Sequence, residues 1–425
     1  MAEQAKPETP DVGQPQFAYH AVFEPFMIVG IMIASCYFNR LRGYSISPSK
    51  QDEGLLGNAK LEPRDQDDLF DDSDSFDEAT PSLTPAAAAT TTETHPPKKR
   101  SCCGTIIQTP NSSRYANYPH SRFIQKFPFL VEMFYWAINL LFYVSIKGIS
   151  GLIFSTDGVW QMAEGHGIAI LNFEQNGPFS FLFPMREVAV QTFFREGHQT
   201  MLTILNRAYS LIHIPVTVRY VAAVPLCWKK AAILTLDSFL AWYYYAAPTH
   251  AQFASARRMM SLTNIVSFCV FTTYPCMPPR LLPEEYGFFD TVRHEDAESI
   301  YATNQFFNQL AAFPSLHFGY SFCIGTVLMY HSGIFRRRLA PREKRMSKAW
   351  QIFFAVLSIV YPMFVLTIIV ATANHYYLDA MAATGVVAIS WLCNRYLLYL
   401  LPLEDFFLWC VKLEKPVPTT GNRRG

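Results

Sequence analysis

No C-x-x-C pair occurs among the nine cysteines of this 425-residue chain. Cys36, Cys269, Cys323 and Cys393 sit inside apolar runs, where cysteine behaves as a small hydrophobe. Neither a zinc site nor a disulfide framework is indicated. Cys102 and Cys103 follow Lys98-Lys99-Arg100 and read either as a palmitate site beside a basic patch or as a plain solvated pair. An excess of one charge is missing too: 35 Lys plus Arg against 34 Asp plus Glu leave a net charge of +1, which argues for neither a nucleic-acid partner nor an acidic one. Residues 1–20 lack the basic start and apolar core of a cleavable signal, so membrane insertion is expected from internal spans.

What is present is apolar mass, unevenly spread. The chain is 50% hydrophobic and 15% aromatic, yet its mean hydropathy is only +0.10, because a polar stretch dilutes several apolar ones. Residues 43–122 carry the acidic run Asp65 to Asp77, then Ala/Thr/Pro repeats, then Lys98 to Arg100. That composition buries too little apolar surface to offset chain entropy, so the segment is expected to be disordered and cytosolic. The sequon Asn111-Ser112-Ser113 lies within it and is expected to be idle.

Runs long enough for a bilayer, which takes about 20 residues per helix, lie near 127–154, 200–247, 260–278, 314–332, 351–373 and 380–401. The expected fold is all-α: a polytopic transmembrane bundle of six spans. A shorter run, Phe26 to Phe38, inside an N-terminal segment of residues 1–42, is either a seventh span or an interfacial helix. The membrane domain covers 123–412, and 413–425 form a cytosolic tail. Phe335 to Trp350 holds Arg336, Arg337, Arg338, Arg342, Lys344, Arg345 and Lys348, which marks that loop as cytosolic. Threading the spans from there puts 279–313 and 374–379 together on the lumenal or extracellular face. Run 200–247 is too long for one helix. Its excess, Val218 to Ser238, is either a translated intron or an amphipathic insertion.

The ionisable residues at the edges of these runs are the candidate site, because such groups are costly at membrane depth unless used or hydrogen-bonded. His375 and Asp379 are four apart, so on a helix the carboxylate can accept the imidazole N–H, fix its tautomer and leave the other nitrogen free to attack. Pro314-Ser315-Leu316-His317 reads as a helix start, with Pro314 in the first turn, whose amides and Ser315 hydroxyl form an anion site beside His317. Tyr274-Pro275-Cys276-Met277-Pro278-Pro279-Arg280 ends a span on the same face and holds Arg280 near the surface for phosphate or for head groups. Asn206, Tyr209 and His213 recur at helical spacing and are assigned to interhelical hydrogen bonds.

P-S-L-H followed by H-Y-x-x-D on separate spans resembles the second and third motifs of the type 2 phosphatidic acid phosphatase and haloperoxidase superfamily. P-P-R-L-L-P, A-A-F-P-S-L-H-F-G and N-H-Y-Y-L-D resemble more closely its inositol phosphorylceramide synthase-like branch, fungal-type members included, over about residues 125–412. The superfamily's first motif, K-x-x-x-x-x-x-R-P, departs here: Thr273 stands seven before Arg280, and the lysine has no counterpart. The resemblance implies that His375 attacks phosphorus to give a phosphohistidine, Asp379 orients it, His317 protonates the leaving group, and Arg280 with Ser315 holds the phosphate. It implies a lipid phosphoester substrate, with transfer of phosphoinositol to ceramide on the closer branch and hydrolysis among the phosphatases. A non-catalytic lipid binder of the same fold is the alternative class, and the joint presence of His317, His375 and Asp379 argues against it. The same residues as zinc ligands lack a further strong ligand set, so no metal or cofactor is expected. Golgi or ER membranes fit a lumenal site, with vacuole or plasma membrane as alternatives.

Overall fold

The computed structural model describes residue 30 and residues 32–47, 95–102, 105–153, 156–178, 180–212, 236–290, 310–336 and 345–420. The acidic run, His213 and most of Val218–Ser238 lie outside the described residues. In chain order come a hairpin of β1 (Lys98–Cys102) and β2 (Thr105–Thr109), then α1 (Pro119–Lys126), α2 (Phe129–Ile153), α3 (Thr156–Asn176), α4 (Glu187–Gly197), α5 (Gln199–Ile212) and α6 (Leu236–Ala246). These are followed by α7 (His250–Thr273), α8 (Leu316–Ser332), α9 (Lys348–Ala371), α10 (Tyr377–Cys393) and α11 (Leu401–Cys410).

Among the described residues, three helical stretches are long and apolar enough to cross a membrane: Phe129–Ile146 in α2, all of α9, and Tyr377–Cys410, which joins α10 to α11 through a 3-10 segment. They coincide with three of the six expected runs. α9 shows why: its 24 residues span about 36 Å, more than a hydrocarbon core of about 30 Å, and its one charged residue is Lys348 at the first position. The others fall short for different reasons. α7 begins ten residues before the expected run, at His250, and so takes in Arg257 and Arg258. α8 has 17 residues, about 25 Å. α3 and α4 fall where no apolar run is expected.

The chain divides into two compact units. One comprises Met1–Ala34, Ala137–Trp242 and Met259–Trp391. Its core gathers Ala163, Ile170 and Leu171 of α3 with Cys276, Met277, Leu282, Ala312, Ala373 and Tyr376. α8 packs along α9. Pro362 has no N–H for the carbonyl of Ser358 one turn earlier, and Gly325 approaches at that carbonyl: a Cβ on Gly325 would stand 2.5 Å from Ser358 O and 2.9 Å from Pro362 Cγ.

The second unit comprises Ser35–Trp136, Tyr243–Arg258 and Leu392–Gly425. Disorder was expected across 43–122, yet residues 95–102 and 105–122 take up defined structure in this unit. The cause is Asp405 of α11. Its carboxylate accepts from Lys98 Nζ at 3.2 Å, from Arg100 Nε at 2.8 Å and from the Thr109 hydroxyl at 2.8 Å, tying both strands to one buried anion. Arg257 likewise meets buried Glu132 at 2.7 Å and lies over the Tyr135 ring at 4.1 Å. The sequon asparagine is turned inward on its own loop, Asn111 Oδ1 accepting from Ser113 N and its Nδ2 donating to Pro96 O.

Candidate functional site

Three segments that follow or precede helices are stitched together by their amides. Cys276 N donates to Leu310 O (2.7 Å) and Ala312 N to Cys276 O (3.2 Å). Arg280 N donates to Ala373 O (2.9 Å), and Ser315 N to Asp379 O (3.2 Å). The stretches 274–282, 310–315 and 372–379 therefore share one backbone frame, and His317, His375, Asp379, Ser315 and Arg280 all hang from it or from the helix turn next to it.

His375 is buried, and its two nitrogens have different neighbours. Nδ1 lies 2.8 Å from Ala312 O and 3.3 Å from Asp379 Oδ2, so it carries the proton. Nε2 then keeps its lone pair, and it faces His317 Nδ1 at 3.3 Å. The sequence spacing suggested one helical face for His375 and Asp379. The geometry is reached another way: α10 starts only at Tyr377, and Asp379 in its first turn reaches back so that Oδ2 also accepts from Tyr376 N at 2.9 Å, half of a capping box. Asp379 is 0% exposed, and its other oxygen, Oδ1, meets no partner among the described residues.

α8 begins at Leu316, with Ser315 as its N-cap, so Pro314 precedes the helix rather than entering its first turn as expected. Ser315 Oγ accepts from Phe318 N at 3.3 Å, which leaves the hydroxyl proton as a donor. Arg280, expected near the membrane surface, is buried within the protein: Nε donates to Asn374 Oδ1 at 2.9 Å, and Nη1 donates to both oxygens of Asp290 at 3.1 Å. One guanidinium nitrogen thus already holds a carboxylate.

Sequence reasoning left Tyr209 to interhelical hydrogen bonding, but its ring stacks on His317 with centroids 4.2 Å apart at 23°. Its spacing from Asn206 was the available signal, and its direction toward His317 was not. Glu174 of α3 and Glu187 of α4 were passed over altogether, because a polar helix without an apolar run attracts no notice. Glu174 Oε1 accepts from Leu378 N at 2.5 Å, directly behind the turn that presents Asp379. A separate cavity of about 800 Å³, lined among others by Asn172, Arg186, His198 and Glu285, touches none of Arg280, Ser315, His317, His375 or Asp379.

The arrangement is a buried histidine pair, one member polarised by a carboxylate and a carbonyl, beside an arginine already gripping an anion. Such a centre can perform nucleophilic group transfer with acid–base assistance. Residues 223–341 match the family model described as the PAP2 superfamily. The match opens inside the Val218–Ser238 segment, takes in Arg280, Ser315 and His317, and ends before His375 and Asp379. That similarity points to phosphatase- or phosphotransferase-type chemistry on lipid phosphoesters in a membrane-embedded protein. No curated protein and no solved structure matches the chain.

Proposed function

We propose that the protein is an integral membrane phosphotransferase acting on a lipid phosphoester through a phosphohistidine at His375, in the manner of inositol phosphorylceramide synthases. The observation that supports this most directly is the pairing of His375 Nε2 with His317 at 3.3 Å while Nδ1 is engaged by Ala312 O and Asp379. In the first step His375 Nε2 bonds to phosphorus, the phosphorus–oxygen bond to the leaving group breaks, and His317 gives that oxygen its proton. In the second, an acceptor hydroxyl returns its proton to His317 and attacks phosphorus, releasing His375. Arg280, and the Ser315 hydroxyl with the first amides of α8, hold the phosphoryl oxygens. The site faces the lumenal or extracellular side.

The geometry also sets a requirement. Attack distance is about 3–3.5 Å and the acid must reach the leaving oxygen at about 2.6–3.2 Å, so an in-line arrangement separates the two nitrogens by on the order of 6 Å. At 3.3 Å the two nitrogens stand at hydrogen-bond distance with no room for a phosphate between them, so the proposed step requires them to move apart. The test uses purified protein with labelled phosphatidylinositol, with and without ceramide. A ceramide-dependent labelled lipid and an acid-labile label lost in His375→Ala are expected. Phosphate release from phosphatidate without transfer makes the protein a hydrolase instead, and full turnover by His375→Ala removes the covalent route.

A further inference from the structure

Behind the histidine pair lie two carboxyl groups that the chemistry above does not use. Glu174 and Glu187 are 1% and 2% exposed. Glu174 Oε1 is spent on the Leu378 amide at 2.5 Å, while Glu174 Oε2 and Glu187 Oε1 are enclosed and meet no donor among the described residues. The two carboxyls stand within hydrogen-bond reach of each other. Neither forms an ion pair with Lys, Arg or His among the described residues, and the titratable groups facing them are Asp379 from α10 and Tyr376 and Tyr377 at its start. Two bare carboxylates in that setting repel each other and a third, Asp379. A single proton shared by the two carboxyls supplies the donor that their unpartnered oxygens lack. Burial first, and the neighbouring Glu187 second, hold the Glu174 carboxyl well above the ordinary glutamate range.

We infer that Glu174 and Glu187 share one proton and act as a positioning pair for His375, with Glu174 gripping the Leu378 amide and so fixing the Tyr376–Asp379 turn. The inference deepens the proposed function and rests on it for its catalytic consequence. The pair touches no reacting atom. Its effect runs through the start of α10: deprotonation places a second buried negative charge against Asp379, and the turn relaxes outward.

The proton can be sought without any assay of turnover. Infrared spectra of the full-length protein labelled at glutamate carboxyls are expected to show a protonated-carboxyl band at neutral pH that disappears in Glu174→Gln and shifts in frequency in Glu187→Gln, where burial still holds the Glu174 proton but its carboxylate partner is gone. Its absence from the wild type overturns the inference whatever the enzyme does. The folded chain keeps a proton that the unfolded chain releases at the usual glutamate pH, so it binds more protons and its stability falls as pH rises above that range. Thermal stability of Glu174→Gln is expected to lose this slope, and an unchanged slope also overturns the inference. In turnover, Glu174→Ala is expected to lose at least tenfold in kcat, with Glu174→Gln recovering most of it and shifting the alkaline limb of the pH profile upward. Equal loss in both variants with an unmoved limb refutes positioning. A wild type inactive on phospholipids refutes the proposed function and leaves the infrared result standing.

Discussion

Replacing Asp379 by asparagine tests how the reactive nitrogen of His375 is set. Two acceptors face His375 Nδ1, and the carbonyl of Ala312 at 2.8 Å is nearer than the carboxylate of Asp379 at 3.3 Å. Asparagine removes the charge but keeps an oxygen that can accept from Tyr376 N, so the turn is retained. Ala312 O, a backbone atom, still holds the Nδ1 proton, so the tautomer survives. What is lost is one charge-assisted interaction, about 1.5–3 kcal/mol, that grows in importance as His375 becomes positive on attack. At about 1.4 kcal/mol per tenfold, kcat is expected to fall about 10- to 150-fold. The assay is single-turnover formation of acid-labile phosphoprotein by wild type and Asp379→Asn, with His375→Ala as the floor. Unchanged kcat refutes the polarising role of Asp379. A loss as deep as that of His375→Ala refutes the assignment of the tautomer to Ala312 O.

Three further outcomes follow from the same geometry. Asp290→Asn releases buried Arg280 from an ion pair whose carboxylate is partly exposed, worth about 0.2–1 kcal/mol, so KM for the phospholipid, or the inhibition constant of orthovanadate, is expected to fall about 1.4- to fivefold, and a rise contradicts the competition between Asp290 and phosphate. Gly325→Ala puts a methyl 2.5 Å from Ser358 O, and thermal denaturation in detergent is expected to show about 1–3 kcal/mol of destabilisation; no change means the helices separate at no cost. Asp405→Ala removes the anion shared by Lys98, Arg100 and Thr109, and faster tryptic cleavage after Lys98–Arg100 is expected, whereas equal cleavage rates deny that Asp405 holds the hairpin.

How much of this could be read beforehand depends on the range of the interaction. α2, α9 and α10 are visible as continuous apolar runs because a span is a local property of composition. His317, His375 and Asp379 were singled out by motif and spacing, and the structure brings them within hydrogen-bond distance, although through a cap at the start of α10 rather than a helical face. The burial of Arg280 was hidden, since the prolines around it say where a helix stops and nothing about Asn374 or Asp290. The hairpin was read as part of a polar, unfolded stretch because its partner, Asp405, comes 307 residues after Lys98. Glu174 escaped for the same reason: its backbone partner Leu378 is 204 residues away.

The frame that joins 274–282, 310–315 and 372–379 is built from main-chain amides and carbonyls, which every residue but proline supplies in full. Exchanging a side chain along it for any residue but proline leaves the donors and acceptors of those bonds in place. Selection acting on this centre could therefore alter which lipid is accepted while inheriting the spacing of its reactive atoms unchanged. The scaffold of the site is, in that sense, indifferent to the chemistry it carries.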